Sequence, residues 1–124
     1  MTHFTGTLAV LHTPTTDGRR LDEPAPDLTR PLPLARPGRP AAGRITRVWL
    51  DGDLVRYEGD LDDGQPDAAQ TRDDIRAGRL VGMLDTGGAE VGGWRVAGAA
   101  LLSSELRAWP AVSLTLASRE ETTA

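Results

Sequence analysis

GRITRVWLDGDLVRYEGDL (residues 43–61) is the stretch from which the fold is read. Two runs rich in β-branched and aromatic residues flank Asp51-Gly52, a strong hairpin-turn signal. Strict alternation puts Ile45, Arg47 and Trp49 on one face and Thr46, Val48 and Leu50 on the other. Neither face is cleanly apolar, so the hairpin is expected to be contacted on both sides. A hairpin of this length is marginal alone and needs further strands.

Upstream, FTGTLAVLH (4–12) predicts a strand, ended by a turn at Asp17-Gly18. Between residues 13 and 43 lie Pro14, Pro24, Pro26, Pro31, Pro33, Pro37 and Pro40. This density excludes a helix and a central strand. The expectation is a long extended arm over about 13–43, with a short edge strand at PLPLA (31–35). Downstream, residues 62–80 predict a short helix through Ala68, Ala69, Arg72, Ile75 and Arg76. Pro66 is expected in its first turn, Asp67 adds favourable charge there, and Gly78 is its C-cap. Strands are expected at 79–85, 93–102 and 111–117, with turns at Gly87-Gly88 and Gly92-Gly93. A loop or single helical turn fills 103–110, and 118–124 is a frayed tail. The fold class is therefore mainly β (α+β): a compact mixed or antiparallel barrel-like core with one short helix and a Pro-rich arm. A single domain over 1–124 is expected.

The 124 residues hold no cysteine, which excludes disulfides, thiolate metal sites and a cysteine nucleophile. All 14 basic residues are Arg, set against 18 acidic ones. The net charge of −4 gives no electrostatic footprint for a duplex, so no nucleic-acid partner is expected. No run approaches the roughly 20 apolar residues of a membrane span, and no membrane association is expected. The opening MTHFTGTLAV has neither a basic region nor a long apolar stretch, so no signal peptide is expected.

Few residues offer chemistry. Asp85-Thr86-Gly87 is the triplet of aspartic proteases, whose mechanism needs two carboxylates sharing a proton. Only 39 residues (124 − 85) follow Asp85, too few to build the rest of such a fold. The plain alternative is a strand end followed by a Gly turn. His3 and His12 could pair with Ser103, Ser104, Ser113 or Ser118 in a Ser-His-acid constellation, but no spacing favours it. Two histidines without cysteine make a poor transition-metal set. The Asp-rich DLDDGQPD (60–67) lacks the closing Glu of an EF-hand loop and fits a solvated helix start. Trp49, Trp94 and Trp109 are expected as core or interface anchors rather than a stacking platform.

Taken in order, five segments resemble one family. They are FTGTLAVLHTPTTDGR (4–19), LTRPLPLARP (28–37), AAGRITRVWLDGDLVRYEGDLDD (41–63), TRDDIRAGRLVGMLDTG (71–87) and WRVAGAALLSSELRAWPAVSLTLA (94–117). Together they are similar to the prohead (capsid maturation) proteases of tailed phages with HK97-like capsids. The resemblance places the family's serine nucleophile at Leu84 and its histidine within ARPGRPAA (35–42), which has no His. An aliphatic side chain cannot attack a carbonyl. The resemblance therefore implies a degenerate, inactive relative with no catalytic, cofactor-binding or metal-binding residues and no cofactor. Its implied role is a virion structural protein, a capsid decoration (cement) or minor capsid protein. Such a protein would bind the major capsid protein as a homo-oligomer or in many copies, after assembly in the host cytoplasm. A pseudoprotease assembly factor, an active maturation protease and a binding module unrelated to capsids are the other readings.

Overall fold

The computed structural model describes residues 2–15, 18, 32–36, 38–87, 95–107 and 109–116, with the backbone alone at 85–87 and 95–97. Seven strands form one sheet: β1 (Thr2–Val10), β2 (Leu32–Arg36), β3 (Arg39–Asp51), β4 (Leu54–Leu61), β5 (Leu80–Gly87), β6 (Arg95–Ser103) and β7 (Ser113–Leu116). Their order is β5-β6-β2-β3-β4-β1-β7, and β5 packs beside β7 without a hydrogen-bonded ladder. The sheet is thus a nearly closed barrel. All neighbours are antiparallel except β2 and β6, which run parallel. The mainly β, mixed, one-helix expectation is met.

The helix α1 (Ala68–Arg76) lies between β4 and β5 in the chain. It buries Ala68, Thr71 and Ile75, a spacing that makes one stripe. Its stop is legible in the sequence. Gly78 adopts φ +76°, the Gly78 amide donates to the Ile75 carbonyl, and the Arg79 amide donates to the Asp74 carbonyl. This is a Schellman motif, and it needs a residue free to enter the left-handed region. Pro66 falls before the helix rather than in its first turn, because Asp67 is the N-cap residue.

The barrel interior is organised by the chain's only Phe and only Tyr. Phe4 and Tyr57 are both fully buried. Their rings meet edge to face, with centroids 5.6 Å apart and planes at 60°. Three glycines make space for them. A Cβ at Gly82 would strike the Tyr57 hydroxyl; one at Gly59 would meet the Arg44 carbonyl and then the Phe4 ring, and one at Gly6 the Ser113 carbonyl and then the Tyr57 ring. Tyr57 therefore reaches from β4 across the interior to β5. Leu8, Leu34, Ile45, Val55, Leu61 and Leu101 pack around the pair.

Two expectations are corrected. The arm does not extend to 43, because Leu32–Arg36 is a central strand between β3 and β6, and β3 begins at Arg39. Pro33 is tolerated there for a specific reason. Its carbonyl faces Gly98 on β6, so its ring nitrogen faces the same way. The parallel ladder starts only one residue later, with Leu34 opposite Ala99, so no donor is required of it. Arg36 and Arg39 face each other across the turn that contains Gly38 at φ +70°. Residues 16, 17 and 19–31 of the expected arm, the turn at Gly92-Gly93 and the tail lie outside the described residues.

The second correction concerns the faces of β3. Ile45 is opposite Gly59 but Arg47 is opposite Glu58, so one extra residue enters β3 at Thr46. This bulge reverses the alternation. Ile45 and Val48 pack inward, whereas Arg47 and Trp49 lie outside with Glu58 and Arg56. The mixed faces seen in the sequence are an inward and an outward face displaced by one residue.

Burial holds the Tyr57 phenol in its neutral form and pushes its pKa up, with the Gly82 backbone offsetting part of the shift. Protonated Tyr57 therefore supports the fold fully below the ordinary phenol pKa of about 10. That support is lost as pH rises further, because the unfolded chain ionises first. Gly82→Ala should destabilise the protein by about 1–3 kcal/mol through overpacking. Tyr57→Phe should relieve most of that penalty and remove the alkaline loss. Urea titrations of the single and double variants at neutral pH and above pH 10 check both outcomes; additive penalties would rule out the contact.

Candidate functional site

The site implied by the sequence centres on Leu84. Its strand presents it toward the barrel interior, where it is partly buried and packs against the core. Ala99 lies opposite it on β6, and Leu34 lies opposite Ala99 on β2. Ala99 and Leu34 are both buried. The row is aliphatic throughout and contributes to core packing. Asp85 is not at a strand end before a turn, because β5 continues through Gly87 with Asp85 opposite Gly98 and Thr86 opposite Val96.

Residues 35–42, the interval of the family's histidine, comprise the end of β2, the turn and the start of β3. The residue that dominates this interval is Arg36, whose side chain is only 8% exposed. Its Nη1 donates to both carboxylate oxygens of Asp67 at 2.8 Å, and its Nε donates to the Pro40 carbonyl at 2.9 Å. Arg39 Nη1 adds a further hydrogen bond to Asp67 at 2.8 Å. Asp67 makes no side-chain cap for α1, so its charge is spent on the two arginines. The pair ties the N-terminus of α1 to the β2–β3 turn. Beside it is a shallow cleft of about 10 Å³, room for roughly one water, lined by Arg36, Leu61, Asp62, Asp63, Gln65 and Thr71.

The other carboxylates of this region are engaged in the same way. Asp62 accepts from the Gly64 amide at 2.9 Å and from the Gln65 side chain. Asp63 accepts from the Thr2 hydroxyl at 2.9 Å and from Arg72 at 2.6 Å. Asp74 accepts from Arg79 Nε at 2.9 Å. The loop 60–67 thus has Asp62 held by neutral donors and Asp63 and Asp67 in ion pairs around a helix start. No group of three acidic or histidine side chains suited to a metal occurs among the described residues.

His3 is not brought to a serine among the described residues. His3 lies outside the barrel, its Nε2 3.4 Å from Glu58 and its Nδ1 3.6 Å from Asp60. Ser113 is opposite Thr7, four residues along β1 from His3, or about 13 Å at ordinary strand rise. The Ser103 hydroxyl accepts from the Glu105 amide at the start of a single 3₁₀ turn, Ser104–Leu106. His12 follows β1 with φ 60°. Ser118 and Trp94 lie outside the described residues. Trp109 is a core anchor, buried with its Nε1 donating to the Thr13 carbonyl at 2.8 Å. Trp49 stays on the outer face with the Arg47 guanidinium 4.4 Å from its ring centroid. Sequence reasoning missed the Arg36–Asp67 pair. The residues are 31 positions apart, and only the isolated Asp at a helix start hinted at a partner.

Comparison with protein-family models, with curated proteins and with solved structures finds no match. The site is therefore read from its own geometry. It offers an aliphatic row at the implied nucleophile position and an anchoring ion pair at the implied base position.

Hydrogen bonding from Arg36 holds the Asp67 carboxyl below the usual carboxylate pKa. A depressed folded pKa contributes stability above the ordinary value of about 3.9, lost as pH falls through the folded pKa. Asp67→Asn should therefore be less stable than the parent at pH 7. The difference should shrink below about pH 4. Thermal melts across pH 2–7 check this; a difference that persists unchanged in acid would exclude the ion pair as its source.

Proposed function

We propose that this chain is a non-enzymatic virion structural protein on a degenerate prohead-protease scaffold. It acts as a capsid decoration or minor capsid protein, bound in many copies to the major capsid protein. The observation that carries the proposal is Leu84 packed in line with Ala99 and Leu34. In the alignment that the resemblance implies, the nucleophile position has become core, and the base interval has become a structural anchor. Both changes favour stability of the scaffold over hydrolysis. The mixed barrel with one helix is the architecture the resemblance implies, which supports the reading at the level of fold alone.

The surface fits a protein that works through contacts. Trp49 with its stacked Arg47 and the exposed Leu50 lie on or near the β3–β4 tip.

Quantitative mass spectrometry of purified particles tests the proposal. Tens to hundreds of copies per mature virion are expected. Presence in proheads with loss from mature heads would replace it with an assembly factor, and absence from both would overturn it. Leu84→Ser should not confer cleavage of the capsid protein in a purified assay, and cleavage would return the chain to the active proteases.

A further inference from the structure

The strands of the barrel are joined with very different strengths. β4 is laddered to β3 from Gly43 through Asp51, and to β1 from Thr2 through Val10. β5 and β6 are laddered to each other from Leu80 through Gly87. Among the described residues, this pair is laddered to the rest of the sheet only by Leu34 opposite Ala99 and Ala35 opposite Ala100, besides the packing of β5 beside β7. That joint is also the only parallel one among the described strands, and parallel pairing is slightly weaker per residue.

Two local features keep the joint short. Pro33 has no amide to extend the ladder toward the start of β2. Gly98 stands against the Pro33 carbonyl at φ +152°, a conformation that other residues rarely adopt. Inward beside the joint the pair contributes the small Gly82 and Ala99, each set opposite a leucine, Leu101 and Leu84. The largest side chain reaching the pair from the barrel is Tyr57, and its buried hydroxyl has no hydrogen-bond partner of full geometry. An incompletely bonded buried hydroxyl opposes closure rather than favouring it.

We propose that β5 and β6 form a strap that opens as one unit while β1, β3 and β4 remain closed, uncovering the β2 edge at Leu34. The strap is cooperative within itself because its internal ladder is long. It is separable because its external ladder is short. Sub-global openings of this kind occur below the free energy of full unfolding.

Hydrogen exchange under native conditions tests the strap. Amides of β5 and β6 should exchange together, on the order of tenfold faster than those of β3 and β4. Exchange of all these strands at one rate would overturn the proposal. A staple supplies the second measurement. The chain has no cysteine, so Leu34→Cys with Ala99→Cys introduces the only two, at neighbouring positions across the joint. Oxidation should slow β5–β6 exchange to the rate of β3–β4, and reduction should restore it. A formed disulfide that leaves β5–β6 exchange unchanged would also overturn it.

Discussion

The barrel depends on one packing constraint: Phe4 and Tyr57 must occupy its centre together, and three strands must present no side chain where they lie. Gly59, Gly6 and Gly82 satisfy that requirement from β4, β1 and β5. The chain has a single Phe and a single Tyr, and both are placed here. Apart from Trp109, the remaining core is aliphatic. Because Tyr57 crosses the interior, it links strands that share no ladder.

The two ends of the barrel differ. One end gathers the N-terminus of β1 and the C-termini of β2 and β4, together with α1. It is fastened by the Arg36–Asp67, Arg39–Asp67 and Arg72–Asp63 pairs. The other end gathers the β3–β4 turn, His12 and the N-terminus of β2. Arg36 is nearly enclosed, and removal of one member of such a pair leaves the other charge poorly solvated. Exposed pairs such as Arg76–Asp73 contribute far less. The polar residues that matter to this fold are therefore concentrated where the helix meets the sheet.

Much of the fold was legible because local signals agreed with tertiary structure. Asp51-Gly52 marked the hairpin, whose two-residue loop lies one place later at Gly52-Asp53, and Gly78 specified the end of the helix. The β4 alternation of Val55, Tyr57, Gly59 and Leu61 is unbroken. What was illegible had long-range causes. Pro33 argues against a central strand unless its neighbour leaves that side unladdered, and only the β6 register reveals this. The pairing of Arg36 with Asp67 depends on where two distant segments meet. Leu84 was singled out through the family resemblance. Its inward packing against Ala99 and Leu34 needed the sheet order.

The bulge at Thr46 also determines how this strand tolerates changes in length. β3 carries one residue more than its partner, stored between Ile45 and Arg47. Loss of Thr46 would remove that surplus and leave Val48 inward and Trp49 outward as they are. Loss of Val48 would invert the residues between it and the turn, carrying Trp49 into the core. Within one strand, a short window is indifferent to a deletion, while the positions just after it are not.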